Sequence, residues 1–317
     1  MEPQPTCAEV SPKTDSSTPR PTSTDLSLVV MAALAVGSAA ILARWADAPA
    51  LALAFWRCLG GAVVLAPAAL RSSTRPSKTH WPLLLASGLA LGFHFSTWLA
   101  SLDHTSVAAS VTLAATAPLF VAAWLWSRGE RLGARTWSAL ALTLVGIAVI
   151  TGGAVALGSG QAKGNGLALI GAVAMAAYLL IGSRLRTDLD TASYSAPTYA
   201  IAALGVLPVA LASGTPLVGF DSRTWLAIVA MTIGPQLAGH TVLNALLPRL
   251  GSITVSLSLL TEPIGAAALA WLVFGEIPGL PVWLGSPLVI AGLALQTFGN
   301  RQTASKQTQS STGAVKE

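Results

Sequence analysis

Stretches of roughly 20 apolar residues recur along the chain, each closed by charge, proline or glycine, and that is the length a helix needs to cross the hydrocarbon core of a bilayer. They fall at about 26 to 44, 51 to 70, 81 to 102, 105 to 126, 134 to 153, 164 to 183, 192 to 212, 224 to 247, 252 to 274 and 281 to 299. The pattern predicts an all-α membrane protein of ten transmembrane helices, with tight hairpins around Asp103 and Arg249. Residues 1 to 25 are rich in Pro, Ser and Thr and lack the short apolar core of a cleavable signal peptide. They and residues 300 to 317 are expected to be disordered cytoplasmic tails.

Composition removes the alternative of a soluble domain. Hydrophobic residues make up 53% of the 317 positions and charged residues 10%, against about 25% charged in a soluble domain. The net charge of +5 does not point to nucleic acid, because Lys and Arg are scattered through short loops and form no stripe. They report topology instead. With ten helices and both ends inside, the inner segments hold Lys13, Arg20, Arg71, Arg75, Lys78, Arg128, Arg131, Arg135, Arg184, Arg186, Arg249, Arg301, Lys306 and Lys316, and the outer loops only Arg44, Lys163 and Arg223. The expected location is therefore the inner (plasma) membrane, multi-pass, with both termini cytoplasmic. Trp45, Trp56, Trp81, Trp124, Trp126, Trp137, Trp225 and Trp283 fall near the expected helix ends, where indole rings favour the headgroup layer. Cys7 in the polar tail and Cys58 in an apolar run suit neither a disulfide nor a metal site, and no cofactor is implied.

The two halves of the chain resemble each other. A spacing of 145 pairs Thr116 with Thr261, Pro118 with Pro263, Ala122 with Ala267 and Trp126 with Trp271. One inserted residue then pairs Gly129-Glu130 with Gly275-Glu276, Trp137 with Trp283 and Gly146 with Gly292. Five helices per half is an odd number, so the second half enters the membrane from the opposite side and the repeat is inverted, at 26 to 153 and 164 to 299. Such symmetry suits alternate opening of a central site to the two sides.

These residues resemble the drug/metabolite transporter superfamily, specifically its EamA-type ten-helix members. The resemblance is carried by Phe55-Trp56-Arg57, by the segment from Pro118 to Glu130, and by the stretch from Leu259 to Glu276 within SLLTEPIGAAALAWLVFGE. It implies a substrate cavity lined by helices 1 to 4 and 6 to 9, with helices 5 and 10 peripheral and at a homodimer contact. It also implies export of amino acids, related metabolites or drugs.

Polar residues inside the apolar runs mark where such a cavity would lie. In helix 8, Thr232, Gln236, His240 and Asn244 recur at strict i+4 spacing and would share one helix face, as a cavity wall or as hydrogen-bonding glue between helices. Helix 9 repeats the spacing with Thr254, Ser258 and Glu262, and Glu262 is the one acidic residue expected near the bilayer midplane. A carboxylate there needs water, a partner or a proton; its role is either direct contact with substrate or proton, or a part in helix geometry and gating. Pro263 follows it and Pro118 occupies the matching place in the first repeat, so both are candidate helix breaks. Helix 3 offers His94, Trp98 and Ser101 on one face, and ordering the groups by depth gives a polar path from Asn244, His240, Gln236 and Glu262 to His94, Trp98 and Ser101. Tyr178 of helix 6 matches Ser38 of helix 1, and both are expected to face the cavity. Arg57, close to the outer boundary, is expected to snorkel to the headgroups, with binding of an anionic substrate as the alternative; phosphorylated substrates would want several cations, and only Arg57 is available. His94, His240 and Glu262 are the groups a proton-coupled cycle would use, though the sequence does not demand one.

The leading function is a transporter that moves a small-molecule substrate through the lipid bilayer by alternating access. Its rivals are an intramembrane enzyme and a non-transporting receptor or assembly protein. The first would need helix-embedded aspartates or an HExxH helix, which are absent, or a Ser-His pair, for which His94 or His240 with a serine stays open; no P-loop or dinucleotide fingerprint occurs. The second would be expected to add a soluble sensing domain, and no loop is long enough to hold one.

Overall fold

The apolar runs fold into helices, which satisfy every backbone N–H and C=O within one segment where lipid offers no partner. The computed structural model describes residues 22–105, 107–150, 161–262, 264–265, 271, 277 and 279–313, with the backbone alone at 26, 108, 112 and 298–313. In chain order the helices are α1 (Ser23–Gly37), α2 (Ala39–Trp45), α3 (Ala50–Arg71), α4 (Trp81–Ser101), α5 (Val107–Ala114), α6 (Ala117–Ser127), α7 (Ala134–Ile150), α8 (Ala162–Leu185), α9 (Thr191–Ala212) and α10 (Ser222–Met231). They continue with a π-helical segment, π1 (Thr232–Thr241), then α11 (Val242–Leu259) and α12 (Leu280–Gly313). Among the described residues there is no strand.

Seven helical stretches among these residues are long and apolar enough to cross a membrane: Ser23–Trp45, Ala50–Arg71, Trp81–Ser101, Ala162–Leu185, Thr191–Ala212, Ser222–Leu259 and Leu280–Thr297. Ala117–Ser127 and Ala134–Ile150 are shorter apolar helices. The 38 residues of Ser222–Leu259 would reach about 57 Å as one rod, nearly twice the roughly 30 Å of hydrocarbon. Gly251, at φ 74° and ψ 164°, divides them, a backbone setting that suits glycine and falls at the hairpin expected around Arg249. The expected span 105 to 126 is likewise divided, between α5 and α6, and the expected span 252 to 274 runs beyond the described residues. The backbone of α12 stays helical to Gly313, through polar residues expected to carry no fold.

Two of the interruptions match. After α5, Thr116 N–H donates to the Leu113 carbonyl and the Thr116 hydroxyl donates to the same oxygen at 2.6 Å. After α11, Thr261 N–H donates to the Ser258 carbonyl and the Thr261 hydroxyl donates to it at 2.7 Å. Each threonine tightens one turn, and the two turns stand 145 residues apart, at the register where the sequence halves align.

Glycine lets the helices close on one another. α4 lies between α8 and α9; a Cβ at Gly92 would sit 2.8 Å from the Ala202 carbonyl oxygen, and one at Gly88 would sit 2.7 Å from that of Thr198. α7 packs along α12 in the same way, through Gly146 and Gly285. Small residues at helix interfaces are what packing in lipid requires, because apolar side chains gain little by leaving one apolar medium for another.

Polar contacts then tie the first half to the second. At one end Thr22 and Asp25 form a reciprocal capping box on α1, and the Asp25 carboxylate also accepts from Arg249 at 3.0 Å. Asp190 caps α9 through the Ser193 N–H, accepts from the Ser72 hydroxyl, and donates its own N–H to Thr74 Oγ1. Burial works against the Asp190 charge, but these hydrogen bonds outweigh it and hold the carboxyl below its usual range. The tie is therefore intact at neutral pH and is lost as the pH falls through that lowered value. Toward other ends of the same helices, the Asp47 N–H donates to Thr224 and the Trp56 indole to the Leu217 carbonyl.

Gly92→Ala is expected to destabilise the protein by about 1–3 kcal/mol, the usual cost of overpacking a tight contact. Gly166→Ala, with nothing within 4 Å of the added Cβ, should be neutral or stabilise by up to about 1 kcal/mol. Thermal unfolding in detergent separates the two.

Candidate functional site

Four of the residues singled out in the sequence, His94, Trp98, His240 and Glu262, line one cavity together with Arg57, Phe95 and apolar residues from α1, α2, α5, α8 and α11. Its volume is about 20 Å3, room for one water-sized body. That volume is too small for a metabolite.

Each polar group is positioned by a neighbour. His94 Nδ1 donates to the Gly171 carbonyl at 2.8 Å, an approach helped by the absence of a side chain on Gly171, and this bond fixes which ring nitrogen carries the hydrogen. The imidazole lies parallel to Trp98, with interplanar angle 5° and centroids 6.2 Å apart. His240, from π1, meets Phe95 edge-on at 5.2 Å. Glu262 is half-buried and opens the helical turn that follows the Leu260–Thr261 break.

Arg57 does not snorkel. Its side chain is fully buried (0% exposed), two turns into α3. Its Nε donates to Gln236 Oε1 at 3.0 Å and its guanidinium carbon stands 3.8 Å over the Phe95 ring centroid. The expected helix start was right to within one residue of Ala50; the expectation failed because the face of α3 that carries Arg57 turns inward, onto Gln236 and Phe95. Gly60 and Gly61 let π1 close over it; a Cβ at Gly61 would lie 2.9 Å from Gln236 Cγ.

Other expected site residues lie elsewhere. The Tyr178 hydroxyl donates to Asn244 Oδ1 at 2.8 Å, Asn244 Nδ2 donates to Ser195 Oγ at 3.0 Å, and Arg186 Nε donates to the Asn244 carbonyl at 3.0 Å. Tyr178 also stacks on Tyr194, whose hydroxyl pairs with Ser87 at 2.7 Å. This buried network braces α4, α8, α9 and α11, and neither Tyr178 nor Asn244 lines the cavity. Ser258 spends its hydroxyl on the Val255 carbonyl of its own helix. The polar path is interrupted at both ends, since Ser101 is likewise bonded to the Trp98 carbonyl and to Ser110. Pro118 sits, buried, in the first turn of α6, directly after the break, while Pro263 lies outside the described residues.

The common face expected for Thr232, Gln236, His240 and Asn244 is split. Three of the four belong to a π-helical segment, whose i→i+5 bonding means that residues four apart no longer stack. Thr232 and Gln236 turn to α3, His240 to the cavity and Asn244 to α8 and α9. The burial of Arg57 and the bonding of Tyr178 to Asn244 are what sequence reasoning missed; the Gly60-Gly61 pair one turn beyond Arg57 was the available sign of a close approach.

A multi-pass helical protein that walls polar and charged side chains into a closed cavity has the build of a solute transporter. The chain belongs to the EamA-like transporter family, whose description fits residues 24–152 and again residues 162–298. An Archaeoglobus fulgidus protein named an uncharacterized transporter is 26% identical over 238 residues, covering 73% of this chain and 81% of the relative. A second from the same archaeon is 24% identical over 270 residues, covering 84% and 94%. The Bacillus subtilis uncharacterized transporter YdfC is 26% identical over 251 residues, covering 76% and 79%. A solved crystal structure shares the fold with a TM-score of 0.70 at 23% identity, over 89% of this chain and 99% of that one. The protein is a membrane transporter and not an enzyme.

Asn244→Leu, which strands the Tyr178 and Ser195 hydroxyls, is expected to lower stability by about 1–3 kcal/mol. Ser258→Ala, which removes only a bond within its own helix, should stay within about 0.5 kcal/mol. Melting temperatures of the two variants in detergent make the comparison.

Proposed function

We propose that this chain carries small metabolites such as amino acids, amines or drugs across the plasma membrane by alternating access. In this reading ten helices form two inverted five-helix repeats with both termini cytoplasmic, and export is the direction that the family resemblance implies. The observation that carries the reading is the convergence of His94, Trp98, His240 and Glu262, drawn from both halves of the chain, on one cavity. The matched breaks at Thr116 and Thr261 support it further. They leave a helix interruption on the cavity wall in each half, where a rearrangement of either half would open the site. Fourteen inner against three outer Lys and Arg residues favour the stated orientation.

Glu262 stands in the wall where a substrate ammonium or a transferable proton would be received. Gly129 and Glu130 follow the first repeat's break as the family resemblance implies, but Ala117 takes the place of Glu262 there, so the acid acts from one half alone.

Counterflow of radiolabelled amino acids and amines into proteoliposomes tests the proposal. Wild-type protein should support accumulation above empty liposomes, and Glu262→Gln should lose at least about tenfold of it with an unchanged gel-filtration profile. Uptake by the variant at the wild-type rate would remove Glu262 from the transport step, and no counterflow of any compound by the wild type would remove the transport reading itself.

A further inference from the structure

The cavity holds more hydrogen-bond donors than the protein answers. Arg57 is fully buried, yet both of its terminal nitrogens lack a partner among the described residues, as do Trp98 Nε1 and Gln236 Nε2. Arg57 and Trp98 line the same cavity, and Gln236 is bonded to Arg57. Buried donors are rarely left without an acceptor, a charged one least of all. Glu262, in the same lining, would be the obvious acceptor, but no ion pair joins it to Arg57 among the described residues. Arg57 and Glu262 thus share one cavity without a direct ion pair among the described residues.

Arg57 is also fixed in orientation. Gln236 occupies Nε and the Phe95 ring lies under the guanidinium plane at 3.8 Å. The edge left free is the one formed by the two terminal nitrogens, a planar fork whose spacing matches the two oxygens of a carboxylate. A single guanidinium with a carboxylate nearby suits a monoanion; a phosphate ester would call for more cations. We propose that Arg57, held by Gln236 and Phe95, is the group that receives a carboxylate of the transported substrate, with Trp98 Nε1 and Gln236 Nε2 as neighbouring donors. The assignment rests on the transport reading above and gives that substrate a chemical requirement: a free carboxylate. The cavity must widen from its present volume to admit one, which is the opening that alternating access supplies.

The test compares matched compounds on the purified full chain. Leucine, leucinamide and isoamylamine form one series, and phenylalanine, phenylalaninamide and phenethylamine a second, each read by thermal shift and by counterflow. The acids should stabilise the wild type at concentrations about tenfold lower than the amides and amines, the scale of one charged hydrogen bond. Arg57→Gln and Arg57→Lys should both erase that preference. Lys keeps the positive charge without the fork, and carries the test if the Gln variant does not fold. The wild-type comparison of acid with amide needs no variant at all. Equal shifts by acid and amide, a preference that survives both substitutions, no shift by either acid, or competition by sodium chloride equal to that of the acids would each overturn the assignment. Acid binding without counterflow would instead count against the transport reading and leave the role of Arg57 standing, whereas equal counterflow of acids and amides would do the reverse.

Discussion

A guanidinium sealed inside a bundle of lipid-exposed helices is the constraint around which this structure is arranged. A charged side chain at the centre of a membrane helix costs about 2.5–3.5 kcal/mol on insertion scales, and Arg57 is buried too completely to reach headgroups. The fold meets that cost in part with a hydrogen bond that Arg57 donates to Gln236 and with an aromatic face from Phe95. Both partners depend on close approach. Gln236 reaches Arg57 because π1 widens the helix at that level and Gly60 and Gly61 leave room for it, and Phe95 is presented by α4, which glycine holds tight against α9.

The same tight packing explains the division between framework and site. α4 is clamped by α8 and α9, and the hydrogen bonds around Asn244 join Tyr178 and Ser195 between these helices. Around the cavity the helices are interrupted after α5 and after α11, and several donors stand without acceptors among the described residues. A bundle with a close-packed part and an interrupted part has its capacity to rearrange where the interruptions lie.

Much of this was legible in the sequence, and the reasons for the rest are physical. The apolar runs gave the helices because their length is set by the bilayer and not by neighbours. His94 and Trp98 were placed together correctly because α4 is a regular helix over that turn. His240 and Glu262 were found because polar groups in apolar runs are costly and so informative. Positions in π1 were assigned to one face on α-helical spacing, which the widened helix does not keep. Tyr178 and Asn244 were read as cavity residues because a sequence does not reveal that two polar groups will satisfy each other. Arg57 was misread because the sequence does not show which face of α3 turns inward, where Gln236 and Phe95 meet it.

The central claim is that a water-accessible, solute-binding cavity lies behind Arg57 between the two halves. It is tested most directly by thiol labelling in native membranes, in a background with Cys7 and Cys58 replaced. Ala115→Cys, on the cavity wall, should react with a membrane-impermeant polar reagent and be protected by a transported solute, while Leu89→Cys, on the exposed apolar surface, should not react. Labelling at position 89 with none at 115, or labelling at 115 that no transported solute slows, would contradict it.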